Sequence, residues 1–342
     1  MNTPALRPAM IVVLGSTVLA AAIVLSLAVG VIHTTPGDVF RVLGDACAGR
    51  DDGSLAHTLV IDMRLPRALA GACVGAALDV SGCLLQSLLR DPLASPTLIG
   101  TAQASGFGRV LGVFLGWSYA SSVALSFVTA MLGTAIVLMF ARSRRGFPSQ
   151  VVLLAGVNVG MLFAALIGLV QYASRDEGQL SRMVLMLLGG LWQVTWSPLA
   201  LVAPFTIGAL VLAVFAARRL DLFALGEENA LRLGLSTRAW GSVLLAIACL
   251  LTSLAVSVAG IVAFVGLIVP HAARRIVGPA HAALVPACAF LGAAIVVATD
   301  DVARTVAAPN ELPLGVLTSL VGVPCFLVLL RSQVRRGGAY GC

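Results

Sequence analysis

Lysine is missing from this chain altogether, so its 22 permanently basic side chains are all arginine. That absence removes chemistry. A P-loop needs a lysine on the β/γ-phosphates, and a Schiff-base mechanism needs an amine nucleophile, so both are excluded. Any ATP used in the work of this protein must be bound by another subunit. Charge is scarce as well: 11% of the 342 residues are charged against 59% apolar, where a soluble domain carries about 25% charged. No polar stretch is long enough for a separate soluble domain. The seven cysteines, at 47, 73, 83, 249, 288, 325 and 342, form no CxxC pair. Five lie in apolar runs, where cysteine acts as a small hydrophobe, so neither metal binding nor a disulfide framework is expected. HExxH and GxSxG are absent too, which argues against an intramembrane hydrolase.

What is there is hydrophobic length. Mean hydropathy is +1.01, and apolar runs fall at about 10–32, 66–89, 96–116, 118–140, 150–172, 184–217, 240–270, 282–299 and 312–330. One span takes roughly 20 apolar residues. The first run is too long for a signal-peptide core and reads as a retained span. Segment 184–217 is broken by Gln193-Val-Thr-Trp196-Ser-Pro198, which predicts a short interfacial helix and then a span from about Pro198, with both tryptophans at headgroup level. Segment 240–270 would be about 46 Å as one helix, against about 30 Å for the membrane core. With arginines at both ends and no acid near, it reads as two short spans turning near Ser257–Gly260. The total is ten spans, all α-helical, with both termini cytoplasmic.

Charge tests that topology. The inner side would hold Arg7, Arg90, Arg142, Arg144, Arg145, Arg218, Arg219, Arg232, Arg238, Arg274, Arg275, Arg331, Arg335 and Arg336, with only Asp91, Asp221, Glu227 and Glu228 as acids, a balance of +10. The outer side would hold seven arginines and ten acids, a balance of −3. This asymmetry is what the positive-inside rule demands. Within it, Gly260–Pro286 reads as a short span 8, a basic cytoplasmic turn at Pro270–Arg275 and the start of span 9. Asp91–Pro96 is a tight inner connection stopped and restarted by proline. Arg218–Ala239 is the longest inner connection between spans, and its Ala, Leu and Glu content favours short helices ending near Gly234.

Five blocks in this order resemble one family: Arg64-Leu-Pro-Arg67 with a Gly-rich span to Gln86; Arg90–Pro96 with Leu98-Ile-Gly100; Gly226-Glu-Glu-Asn-Ala230 with Leu233-Gly234; Phe264–His271 through Arg274; and Asp300, Asp301, Arg304 with Glu311–Gly315 and Gly322-Val-Pro324. The chain resembles the permease subunits of bacterial ABC importers for iron-siderophore, haem and vitamin B12 (FecCD-type permeases). The resemblance implies a single permease domain over residues 1–342 in the bacterial inner membrane, with spans 2–5 and 7–10 related as an inverted repeat. It implies a homodimer among membrane lipid, two cytoplasmic ATPase subunits that use the ATP, a periplasmic substrate-binding protein and no nucleic acid. It implies no catalytic, cofactor or metal site on this chain. Gly226, Glu227, Glu228, Ala230, Arg232 and Gly234 match the segment that couples to the ATPase. Arg64, Arg67 and Arg304 match arginines that receive acids of the binding protein, although lipid-headgroup anchoring would also place arginine there.

Several residues are read on their own terms. Asp79 departs from the small or apolar residue expected in span 2, and intramembrane ionisable groups are functional candidates. Gly71, Gly75 and Gly82 share its face, which predicts a close helix contact. Arg109 in span 3 shares a face with Ser105, Gly112 and Gly116. A direct Asp79–Arg109 pair is disfavoured by about 12 Å of difference in depth. Both would serve a rival reading, an ion- or proton-coupled secondary transporter. Asn158, Thr318 and Ser319 are candidates for the pathway or for helix-packing hydrogen bonds. His33, His57, His271 and His281 read as interfacial.

Overall fold

The structure is a computed structural model that describes residues 8–30, 35–49, 54–141 and 149–337. Arg7, His33, Arg50, Arg142, Arg144, Arg145 and the side chains of Glu227, Glu228, Arg335 and Arg336, all read above, lie outside what it describes. Among the described residues every regular element is helical: α1 Pro8–Ala28, α2 Pro36–Cys47, α3 Leu55–His57, α4 Leu65–Leu89, α5 Thr101–Phe114, α6 Tyr119–Ala141, α7 Ser149–Tyr172, α8 Glu177–Leu188, α9 Trp196–Ala224, α10 Glu227–Arg232, α11 Thr237–Ala259, α12 Val265–Val277, α13 His281–Thr305 and α14 Leu314–Gly337. A wide-pitched turn at Thr58–Arg64 joins α3 to α4. Seven helices are long and apolar enough to cross a membrane. The shorter α5 and α12 and the terminal α14 complete the ten spans.

The core is built round two of them. In α4 and α11, 83% and 78% of the most apolar window is buried inside the protein, against 17% in α1. Helix α4 packs on α13, α11, α9 and α12, and small residues set the distance. A methyl on Gly75 would collide with the Gly292 carbonyl, and one on Gly82 with the Gly266 carbonyl. The glycine face read from the sequence is therefore a seam where backbones meet.

The packing repeats with inversion. Helix α4 lies on α12 and α13 as α11 lies on α5 and α6; α5 lies on α6 and α7 as α12 lies on α13 and α14. The two short helices correspond, and each is entered through a left-handed residue: Gly100 (φ 76°) before α5, Phe264 (φ 64°) before α12. At Gly100 a side chain would strike the backbone of Gly156 in α7. Gly322 in α14 leaves the space that the Phe264 side chain fills.

Four boundaries differ from the sequence reading. Helix α12 does not end at Pro270 but continues to Val277, and the turn falls at Gly278 (φ 88°). The reason is its late start, because residues 260–264 are irregular and the helix has only 13 residues, about 20 Å. Those irregular residues are buried or partly buried, and the backbone beside them is paired: Gly190 N–H donates to the Ala259 carbonyl (2.8 Å) and Leu314 N–H to the Gly189 carbonyl (2.8 Å). Such pairing is what non-helical backbone at membrane depth requires. The interfacial helix α8 starts at Glu177, seven residues before the apolar run, because Asp176 caps it by accepting from Gln179 N–H (2.6 Å). Helix α9 continues through Arg218, Arg219 and Asp221 because Leu220 and Phe223 keep its buried stripe. The inner connection thereby shrinks to residues 225–236. Span 3 starts with a tight turn at Pro96–Ile99, and its α-helix begins at Thr101.

Candidate functional site: an outer clamp, an inner cluster and a coupling helix

At the outer end of α4 the arginines are turned inward. Arg67 makes two forked ion pairs. Its Nε and Nη2 donate to Asp300 (2.7 and 2.9 Å), and its Nη1 and Nη2 donate to Glu311 (2.9 Å each). Arg304 donates to the Ser26 carbonyl and hydroxyl (2.7 Å each) and to Asp301. Ser26 itself donates to Asp301 (2.7 Å). Arg64 Nη1 reaches the Leu27 carbonyl (2.7 Å) at the end of α1. All three guanidinium groups are buried or nearly so. They tie α1, α4, α13 and the loop before α14 into one clamp. Glu311 is the most open member, with its side chain 32% exposed.

The mid-membrane ionisable residues stay apart. Asp79 is fully buried against Gly292, and among the described residues neither carboxylate oxygen finds a partner. Arg109 is 4% exposed and lies flat on the Tyr119 ring, 4.4 Å from its centre. The Tyr119 hydroxyl donates to the Val258 carbonyl (3.1 Å), which fixes the ring between α6 and α11. Each ionisable group thus has its own surroundings. Thr318 and Ser319 bond back to Gly315 in their own helix (3.1 and 2.7 Å), and Asn158 to Leu154 (2.8 Å) on the open face of α7.

Outside that layer, the ends of α5 and α6 with α8 border an open cavity of about 520 Å³ lined by Val113, Trp117, Tyr119, Arg182, Met186 and Gln193, among others. Arg175 sits over Phe114 nearby, 6.0 Å from the ring centre. Two rings and the Arg182 guanidinium line the cavity, and among the described residues no carboxylate does.

The inner end of α4 carries a second cluster that the sequence reading missed. Arg274 of α12 donates to Gln86 Oε1 (3.1 Å) and to Ser87 Oγ (3.0 Å). Ser87 Oγ lies 2.6 Å from His281 Nε2, and His281 Nδ1 lies 2.7 Å from Asp221 Oδ1. The same Asp221 oxygen accepts from the His281 backbone N–H (3.0 Å). Gln86 Nε2 donates to the Leu267 carbonyl (3.1 Å). Helices α4, α9, α12 and α13 meet here in one hydrogen-bonded group. The missed signal was local: Gly278-Pro279-Ala280-His281 opens α13 with no capping side chain of its own, so its free N–H groups needed an acceptor from elsewhere.

Beside the cluster, α10 packs on α9 and α11. It is six residues long and follows Gly226 (φ 103°). Leu235 N–H returns to the Ala230 carbonyl and Gly234 N–H to the Leu231 carbonyl (2.9 Å each), a double C-terminal closure with Gly234 in the left-handed region (φ 83°). Ala230 is buried and Arg232 exposed. The Arg90 guanidinium lies close over Gly226, 3.5 Å from where a methyl on that glycine would sit. Among the described residues no group of three or more His, Cys, Asp or Glu could hold a metal.

The FecCD transport family matches residues 18–332. The hemin transport system permease protein HmuU of Yersinia pestis is 37% identical over 286 residues, covering 81% of this chain and 85% of that one. The vitamin B12 import system permease protein BtuC of Escherichia coli O157:H7 is 35% identical over 327 residues, covering 94% of each. Among solved structures, a metal-chelate type ABC transporter in an inward-facing conformation superposes with a TM-score of 0.82 at 29% identity, over 95% of this chain and 99% of that one.

Proposed function

Because the chain belongs to the FecCD transport family, and so is an inner-membrane permease subunit rather than an enzyme, we propose that it carries an iron complex or cobalamin inward by alternating access. Two copies flank the path, with the open faces of α7 and α14 turned toward it. Two ATPase subunits seat on α10 from the cytoplasm, and a periplasmic binding protein delivers the cargo. The observation that carries this reading is α10 itself. It is a short helix closed at both ends by left-handed glycines and packed on the inner ends of α9 and α11. A push on such a helix moves two spans together.

Docking of the binding protein centres on Arg67. An incoming carboxylate exchanges with the partly exposed Glu311 while Asp300 keeps the guanidinium in place. The rings and arginines round the outer cavity favour a flat anionic chelate, such as a haem, over a corrin whose side chains are amides. An ion-coupled mechanism through Asp79 and Arg109 finds no support in their separate, enclosed surroundings.

The test is co-expression with the neighbouring ATPase and binding protein, followed by uptake of haem, ferric siderophore or cobalamin into proteoliposomes. Uptake should need ATP inside and stop with vanadate. Gly234→Pro, which removes an N–H from the closure of α10, should insert normally yet lose uptake while ATP hydrolysis continues. Gradient-driven uptake by the permease alone would sink the proposal.

A further inference from the structure

The inner cluster has a geometry that packing alone does not demand. Helix α13 begins at His281 with Ala280 before it, so it has no capping side chain of its own. Its first N–H is instead bound by Asp221, a residue of α9 sixty positions earlier. A carboxylate at a helix N-terminus satisfies an orphan donor and meets the positive end of the helix dipole. Here the cap belongs to a different helix. Asp221 sits in the last turn of α9, directly before the turn that leads into α10.

From Asp221 the contacts run on without a gap. The His281 ring spans from Asp221 Oδ1 to Ser87 Oγ, at 2.7 and 2.6 Å from its two nitrogens. Ser87 also accepts from Arg274, which holds Gln86. Ser87 and Gln86 lie in α4, Arg274 in the last turn of α12, and His281 at the head of α13. Each link is a short directional bond between rigid helices. Apart from Asp221, the linked side chains are buried or partly buried. A movement of the end of α9 therefore pulls on α13 by its cap and on α4 and α12 through His281.

We propose that Asp221, His281, Ser87 and Arg274 are positioning residues that carry movement of the coupling helix α10 into α4, α12 and α13. The assignment rests on the importer reading and adds the route that reading lacks. Helix α10 touches α9 and α11 directly, and those two pack on α4; the cluster adds a directional polar tie from the end of α9 to α4, α12 and α13. Arg90, at the inner end of α4 and over Gly226, gives the same seam a second point of contact.

The test uses the complete complex with its ATPase and binding protein in proteoliposomes and reads cargo taken up per ATP hydrolysed. Asp221→Ala, which removes the acceptor of both bonds, should lower that ratio about tenfold or more. Asp221→Asn keeps an oxygen acceptor and should recover at least half of the lost coupling; His281→Ala should match Asp221→Ala. Amide exchange at residues 281–284 supplies a readout independent of transport. Protection there should change on vanadate trapping in the wild type and not in Asp221→Ala. If uptake and hydrolysis fall in proportion in every variant, the cluster is only a structural cap and the relay is overturned. Should Asp221→Ala fail to assemble, the Asn and His281→Ala ratios decide, and unchanged ratios overturn it equally. A wild-type complex with no ATP-driven uptake sinks the importer reading instead, and trapping-dependent exchange then judges the relay by itself.

Discussion

The two ends of the α4–α13 seam are closed by polar groups of opposite character. The outer end is held by formal charge: Arg67 between two carboxylates and Arg304 between Asp301 and Ser26. The inner end is held by a histidine, a serine and an amide, with one arginine and one half-exposed aspartate at its margins. Buried charge pairs are costly to open, because each partner is then left uncompensated. Hydrogen bonds from one charged group to neutral partners, such as Arg274 to Gln86 and Ser87, are worth about 1.5–3 kcal/mol each and strand no opposite ion when they open. The difference assigns roles. The outer end fixes the seam, and the inner end is where it can give.

Mutations that break this contrast should scale accordingly. The largest effect belongs to the middle of the seam. Gly75→Leu cannot be accommodated against Gly292, so little folded protein should survive extraction and size-exclusion chromatography. Asp300→Ala comes next, since it leaves Arg67 buried with Glu311 alone. A loss of about 3–5 kcal/mol is expected, read as a lower thermal midpoint in detergent. A midpoint within error of wild type would mean the outer end is not charge-locked.

Ser87→Ala at the inner end should cost less, about 1–3 kcal/mol for partners left short, while affecting coupling out of proportion to stability. Equal losses from Asp300→Ala and Ser87→Ala would erase the contrast. Smallest is Glu311→Gln, below about 1 kcal/mol because that side chain is one-third exposed and screened. Its effect should shrink further in high salt.

The sequence carried the frame of this fold for a physical reason: hydrophobic length and arginine placement are local quantities. The break at Gly260, the left-handed close at Gly234 and the glycine face of α4 were all readable because each needs only its own neighbours. Phe264 was not, since nothing in a phenylalanine announces a positive φ; the space that permits it lies at Gly322. The ion pairs of Arg67 had no local trace, since its acids stand 233 and 244 residues away. A separation of 60 residues likewise hid the pairing of Asp221 with His281, whose local trace is the uncapped start of α13. Continuation of α12 through Pro270 was missed because its starting point was placed too early.

The seam between α4 and α13 also has a consequence for how the protein is made. Its two halves are separated by roughly 200 residues, so at about 5–20 residues per second α4 emerges some tens of seconds before α13 exists. During that interval Asp79 and Ser87 face no α13 and Gln86 no α12, and the glycines that will take their backbones have nothing to hold. Helix α4 is also the least apolar of the seven long spans, with a window mean hydropathy of 1.8. The helix at the centre of the finished protein is thus the one that biogenesis must shelter longest from lipid.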